Sequence, residues 1–210
     1  LPGTSAKDAA EALTELAKGG LSVNKAMGAL KATLQLSAAA EIENARAAEI
    51  VSDALNGFGL KAKEATRVVD LLANAANATS GDIEQFADAL QMSGAVAHQL
   101  GVPIEDLITM LGEMANAGIK GSDAGTSVKQ MLLSLAAPTE KSANLMKDLG
   151  ISIFDAQGKF AGMHSVIEQF HKRLSKMTDA QKASTLATIF GSDAIRAAAI
   201  IFGKSALEFE

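Results

Sequence analysis

Ile104-Glu105-Asp106-Leu107-Ile108-Thr109-Met110-Leu111-Gly112-Glu113-Met114-Ala115 decides the fold class. Ile104, Leu107, Ile108, Leu111, Met114 and Ala115 recur at helical spacing and form one apolar stripe, with Glu105, Asp106 and Glu113 left on the polar face. Gly101 ends whatever helix precedes, Pro103 cannot continue it, and Gly118 stops this one.

The same grammar extends in both directions. Upstream, a helix over Ala6 to Lys18 stops at Gly19-Gly20. Ser22 can cap the next, in which Met27, Leu30 and Leu34 share a face, and a bend falls near Ala38 to Ala40. Further helices span Glu41 to Asn56 and Ala62 to Asn77. Asp82 with Gln85 then forms a capping box that opens a helix to Leu100, weakened in its middle by Gly94. Downstream of Gly121, Val128, Met131, Leu132 and Leu135 make a second stripe ahead of Pro138. Thr139 caps a short helix that Gly150 ends. Val166, Ile167, Phe170, Leu174 and Met177 carry another. Thr178 with Gln181 opens one to Phe190, Gly191 ends it, and Ser192 or Asp193 opens the last. Only Ile151-Ser152-Ile153-Phe154 breaks the rhythm. It alternates, and Asp155-Ala156-Gln157-Gly158 follows as a turn before Lys159-Phe160, which predicts a small β-hairpin near 151–160 packed on the helices. The expectation is an all-α, multi-helix bundle of short to medium helices with that one hairpin. No fixed-period repeat and no sustained heptad is present.

Composition narrows the function classes. Of 210 residues, 48% are hydrophobic, so the chain can bury a core, while only 4% are aromatic and none is Trp or Tyr. Alanine supplies much of the apolar content and favours closely packed helices. The net charge of −5 argues against a nucleic-acid coat, and the missing Trp and Tyr remove stacking surface for bases or sugars. With no Cys, disulfides, thiolate metal sites and Cys nucleophiles are excluded. The opening Leu1-Pro2-Gly3-Thr4 reads as the start of an excised piece of a longer protein, with no signal peptide. The apolar run Ala197 to Phe202 falls short of the about 20 residues a bilayer needs.

Tests for chemistry return packing roles. His164 and His171 sit on one helical pattern without a third ligand at matching spacing, and His98 stands alone, so no metal site is expected. Gly118 to Ser127 is Gly-rich and leads into a helix, but a helix precedes it and Lys120 comes before the second Gly. It therefore reads as a tight helix–helix corner, with Gly121 and Gly125 allowing close backbone packing, and not as a phosphate loop. Glu64, Glu84, Glu105, Asp106 and Glu113 look solvated, and no acid–base pair stands out. Met92, Met110, Met114 and Met131 lie near apolar stripes and are expected to fill the core. No catalytic residue, cofactor or metal is assigned.

Several separated passages resemble the core region of tail tape measure proteins of tailed bacteriophages and prophages. They are Asp53 to Leu60, Ala95 to Val102, Leu111 to Thr126, Leu149 to Gly158 and Ile189 to Gly191. The most specific is Asn116-Ala117-Gly118-Ile119-Lys120-Gly121-Ser122-Asp123-Ala124-Gly125-Thr126, a structural family motif. The resemblance covers about residues 20 to 203. It implies a structural domain, not an enzyme, acting in tail assembly, tail length determination and genome ejection, located in the virion tail and made in the host cytoplasm. The implied partners are the tail tube, the tail tip or baseplate, tail assembly chaperones and further copies of the protein, with no specific nucleic-acid binding and with membrane contact left open. Family members of this kind measure length with an extended helical stretch. This chain breaks too often for that and reads as a globular core domain over 1–210, subdivided into a helical part, 1–150, and a hairpin with C-terminal helices, 151–210. The alternative is a helical membrane-active or toxin-like module.

Overall fold

Helix starts and stops account for the architecture of the computed structural model, which describes residues 5–205. Residues 1–4, read above as an excised start, lie outside the described residues. In chain order the helices are α1 (Ala6–Lys18), α2 (Val23–Ala40), α3 (Asn44–Gly57), a 3-10 turn (Ala62–Glu64), α4 (Ala65–Ala78), α5 (Ile83–Leu100), α6 (Ile104–Asn116), α7 (Gly121–Ala136), α8 (Glu140–Asp148), α9 (Met163–Leu174) and α10 (Asp179–Phe202). Reciprocal capping boxes open α5 at Asp82 and Gln85 and α10 at Thr178 and Gln181. Thr139 caps α8 by accepting from the Ser142 amide. Five helices close in the same way. The amides of Leu21, Leu60, Val102, Ile119 and Ile151, each just after a glycine, donate to carbonyls five residues back, and these apolar side chains turn inward.

Packing is set by small residues. The most extensive contact joins α5 to α7, and α10 covers α7 from the other side while touching α6, α8 and α9. α1 to α4 pack together and meet α5 through α3 and α4. Gly94 was expected only to weaken α5. A side chain there would lie 3.1 Å from the Phe58 ring, so its absence seats that ring. Among the described residues no buried side-chain polar atom lacks a partner. Ser93 Oγ donates to the Ala89 carbonyl at 2.7 Å, and Ser142 Oγ to that of Thr188 at 3.0 Å.

Four expectations need correction. On α2 the buried face is Ala26, Ala29, Ala32, Thr33 and Leu36, with Leu34 at its edge. Met27 is 58% exposed and Leu30 only half-buried. Alanines bring α2 close to α1, α3 and α4, so the larger residues rotate outward. Met92 is likewise partly exposed, whereas Met110, Met114 and Met131 are fully buried. Glu113 is not solvated. Its side chain is 14% exposed and pairs with Lys204.

The β-hairpin near 151–160 does not form either. Phe154 and Phe160 make one isolated antiparallel bridge, and no strand occurs among the described residues. The turn itself is present, with the Asp155 amide donating to the Lys159 carbonyl at 2.8 Å. A second bond crosses it, from the Ala161 amide to the Ile153 carbonyl at 2.9 Å, and on the opposite edge Gln169 accepts from the Ser152 amide at 2.8 Å and donates to its carbonyl at 3.1 Å. Ile151 and Ile153 both turn into the core while Ser152 and Phe154 face out, so the segment keeps the alternation of a strand but pairs only at the single bridge.

α10 is two arms. Gly191 adopts φ 71° and ψ −174°, so the helix bends there, as its glycine foreshadows. This is one helix, among the described residues, with the length and apolarity to cross a membrane. Its Leu186, Ile189, Phe190, Ile201 and Phe202 side chains lie in the core, while Ile195 and Ile200 are half-buried.

Candidate functional site

The corner between α6 and α7 contains the eleven-residue motif Asn116 to Thr126, and the structure gives most of these residues a partner. α6 ends with the Ile119 amide donating to the Met114 carbonyl and the Gly118 amide to that of Ala115, both at 2.9 Å. Gly118 stands at φ 86°, the left-handed position this closure requires, and Ile119 packs on the core. Gly121 stands at φ 58° at the start of α7 with open space around its missing side chain.

Three contacts stitch the corner to the turn between α4 and α5. Asn116 Oδ1 accepts from the Ser80 amide at 3.1 Å, and Ser80 Oγ donates to the Ala115 carbonyl at 2.6 Å. Lys120 Nζ donates to the Ser80 carbonyl. That commits the Lys120 ammonium to a backbone carbonyl of the α4–α5 turn.

A second set ties the first turns of α7 to α10 and α5. The Arg196 guanidinium donates to both carboxylate oxygens of Asp123, at 3.0 and 2.6 Å, and to Ser127 Oγ at 3.2 Å. The Arg196 hydrogen bonds hold the Asp123 carboxyl below its ordinary pKa. As an acid in the first turn, Asp123 also faces the positive end of α7. Ala124 is buried. A side chain on Gly125 would lie 2.8 Å from Ala89 Cα and 2.9 Å from its carbonyl carbon, closer still to the oxygen, so the α5 and α7 backbones meet there. Ala117 and Ser122 are exposed and Thr126 half-buried. The corner is thus a junction of three segments. Ser80, Ala89 and Arg196 complete it from far along the chain, and no local spacing pointed to them.

Other candidate groups stand apart from it. His98 is exposed, edge-on to Phe58 with ring centroids 6.1 Å apart. His164 is exposed at the start of α9, and His171 is half-buried further along it. Among the described residues no three His, Asp or Glu come together as a metal site. Burial, with Glu105 beside it, raises the Asp106 carboxyl above its ordinary value, against the opposing pull of His164. On α3 and α5, Arg46 binds Glu49 at 2.9 Å and Asp88 at 2.7 Å, with Glu84 at 3.5 Å. Asp53 lies beside them, raised by burial and by Glu49 while accepting from Gln91 at 3.3 Å. Arg46, through Asp88 and Glu84, and Asp53, through Gln91, thus bridge α3 to α5.

The chain matches the family described as phage-related minor tail protein over residues 2–191. It is 34% identical over 191 residues to the "Tape measure protein" of Pneumococcus phage Dp-1, covering 91% of this chain and 17% of that protein. It is 32% identical over 199 residues to the "Probable tape measure protein" of Escherichia phage P2, covering 94% of this chain and 24% of that one. The chain therefore spans about a fifth of the length of these curated relatives. No solved structure matches it significantly.

Proposed function

Since this chain belongs to the phage-related minor tail protein family, we propose that it is the helical core domain of a tail tape measure protein. Its role is structural, in tail assembly and tail length determination, with its release accompanying genome ejection. The observation that carries this reading is similarity across more than nine-tenths of the chain to two proteins named for the tape measure role.

The geometry supports a structural role for the motif. The side chains of Asn116, Lys120 and Asp123 hold neighbouring segments, and Gly125 brings two helices into contact. These residues build a junction between three segments of the chain. Contact between the 151–210 part and α7 supports reading 1–210 as one domain. The partners on this reading are the tail tube, the tail tip or baseplate, tail assembly chaperones and other copies of the parent protein. The site of action is the virion tail, after synthesis in the host cytoplasm. The membrane-active alternative is not favoured, because α10 buries its Leu186, Ile189, Phe190, Ile201 and Phe202 side chains in the core and bends at Gly191.

The test is an in-frame deletion of residues 95–126 from the parent gene, with lysates viewed by electron microscopy and titred for infectivity. Absent or misassembled tails are expected. Normal infectious tails would overturn the proposal.

A further inference from the structure

We infer that α10 is a hinged helix whose second arm, residues 192–202, exchanges between two copies of this chain. Gly191 is the only residue of Asp179–Phe202 with non-helical angles. Its φ and ψ fall in a region essentially reserved for glycine. In an unbroken helix twelve residues carry the chain about 18 Å. Here the rings of Phe190 and Phe202 stack with centroids 5.4 Å apart, so the second arm folds back over the first.

Each arm is held separately. The first is anchored by the Ser142 hydroxyl on the Thr188 carbonyl and by buried Leu186, Ile189 and Phe190. The second lies on α7 through Arg196 with Asp123 and Ser127. On α9 its Phe202 stacks on Phe170 at 4.2 Å. Its inner face, Ala194, Ala197, Ala198, Ile201 and Phe202, is wholly buried, whereas Gly191, Ser192 and Asp193 at the bend are exposed.

One change of backbone angles at Gly191 makes residues 179–202 a continuous helix and lifts the second arm off its own body. That apolar face cannot remain in water. The surface that fits it is the same α7–α9 seat on another copy, vacated by the same motion. Two chains that trade arms recover the Arg196–Asp123 and Phe202–Phe170 contacts and gain helical continuity at both hinges. The occupant is thus a second copy of this chain.

The chain has no native Cys, so thiols can be placed at will. An Asp123→Cys chain is mixed with an Arg196→Cys chain at high concentration, warmed to the melting midpoint, cooled and treated with a short bis-maleimide. Exchange predicts a mixed cross-linked species of twice 21.6 kDa, well above what either variant gives alone. The diluted double variant, Asp123→Cys with Arg196→Cys, should cross-link within one chain and so show that the positions are in reach. In sedimentation, Gly191→Ala, which disfavours the folded-back angles, should lower the dimer dissociation constant about tenfold or more. Should that variant lose helical circular dichroism, the mixing experiment with the native hinge decides. No mixed species above the single-variant background, while the double variant cross-links internally, would overturn exchange.

Discussion

Gly125→Ala probes a close backbone approach between α5 and α7 by adding one methyl group. The new carbon would stand 2.8 Å from Ala89 Cα and 2.9 Å from its carbonyl carbon. Both neighbours are backbone, so no side chain can swing aside. Ordinary carbon–oxygen contacts lie at about 3.3 Å or beyond, so α7 must retreat from α5 by roughly 1 Å. A gap of that size forfeits about a quarter to a half of each dispersion contact along the seam. The seam includes buried Ala124 and Val128 on α7 and Ala89 on α5. Overpacking of this kind costs about 2–3 kcal/mol. Replacing glycine by alanine inside a helix returns about 0.8–1 kcal/mol. The net loss is about 1–2 kcal/mol, or roughly 2–8 °C in melting midpoint for a chain of this size. Thermal melts followed by far-UV circular dichroism measure it, since the chain has no Trp or Tyr for fluorescence. Helix propensity alone predicts the opposite sign. A variant that melts at or above the wild-type temperature would refute the close-approach argument.

Gly121 differs, because its side-chain position is open and only its φ of 58° resists substitution. Gly121→Val should cost about 1 kcal/mol or more and Gly121→Asn distinctly less, in the same melts, since Asn tolerates the left-handed region. On α2, Met27→Lys should leave stability within about 0.5 kcal/mol, whereas Ala29→Leu should lose about 1–3 kcal/mol. Denaturant midpoints would show the reverse order if the Met27 face were the buried one. For Asp106, whose pKa is raised, ionisation opposes folding. The penalty is present above the raised value and vanishes as pH falls through it, so Asp106→Asn should melt higher than wild type at neutral pH and lose that advantage on acidification. Asp123, held low by Arg196, has the opposite sign. Its stabilisation is complete above the ordinary carboxylate value and is lost as pH falls through the depressed one, so Asp123→Asn should melt lower at neutral pH and converge with wild type in acid.

Helix boundaries were legible because their causes are local. A capping side chain acts three residues away, as Asp82 and Gln85 do, and a closing glycine acts within its own turn, as Gly101 and Gly118 do. Burial faces were legible only where large residues define them, as on α6. On α2 the periodicity of Met27, Leu30 and Leu34 competed with a face of alanines, and the choice depended on how near α1, α3 and α4 could come. The hairpin stops at a single bridge, and Gln169, seventeen residues on, holds the Ser152 backbone on the edge facing away from the 159–161 segment, a contact with no local signal. In the motif, Gly118 and Gly121 could be read as a corner. The engagement of Asn116 and Lys120 by Ser80, and of Asp123 by Arg196, spans 36 to 73 residues and carries no local signal.

The five glycine closures also bear on how this chain responds to being pulled. Each of these five helices is closed at its end by a glycine and the inward-turning residue after it. Fraying that starts in one helix meets that stop before it reaches the next, so disruption is confined segment by segment. Under tension such a chain yields in instalments, each rod giving way at its own load. A rod with no interior stops would instead keep its length in proportion to its residue count. On the proposed reading, a fixed distance along a tail is better kept by residues that lack such breaks.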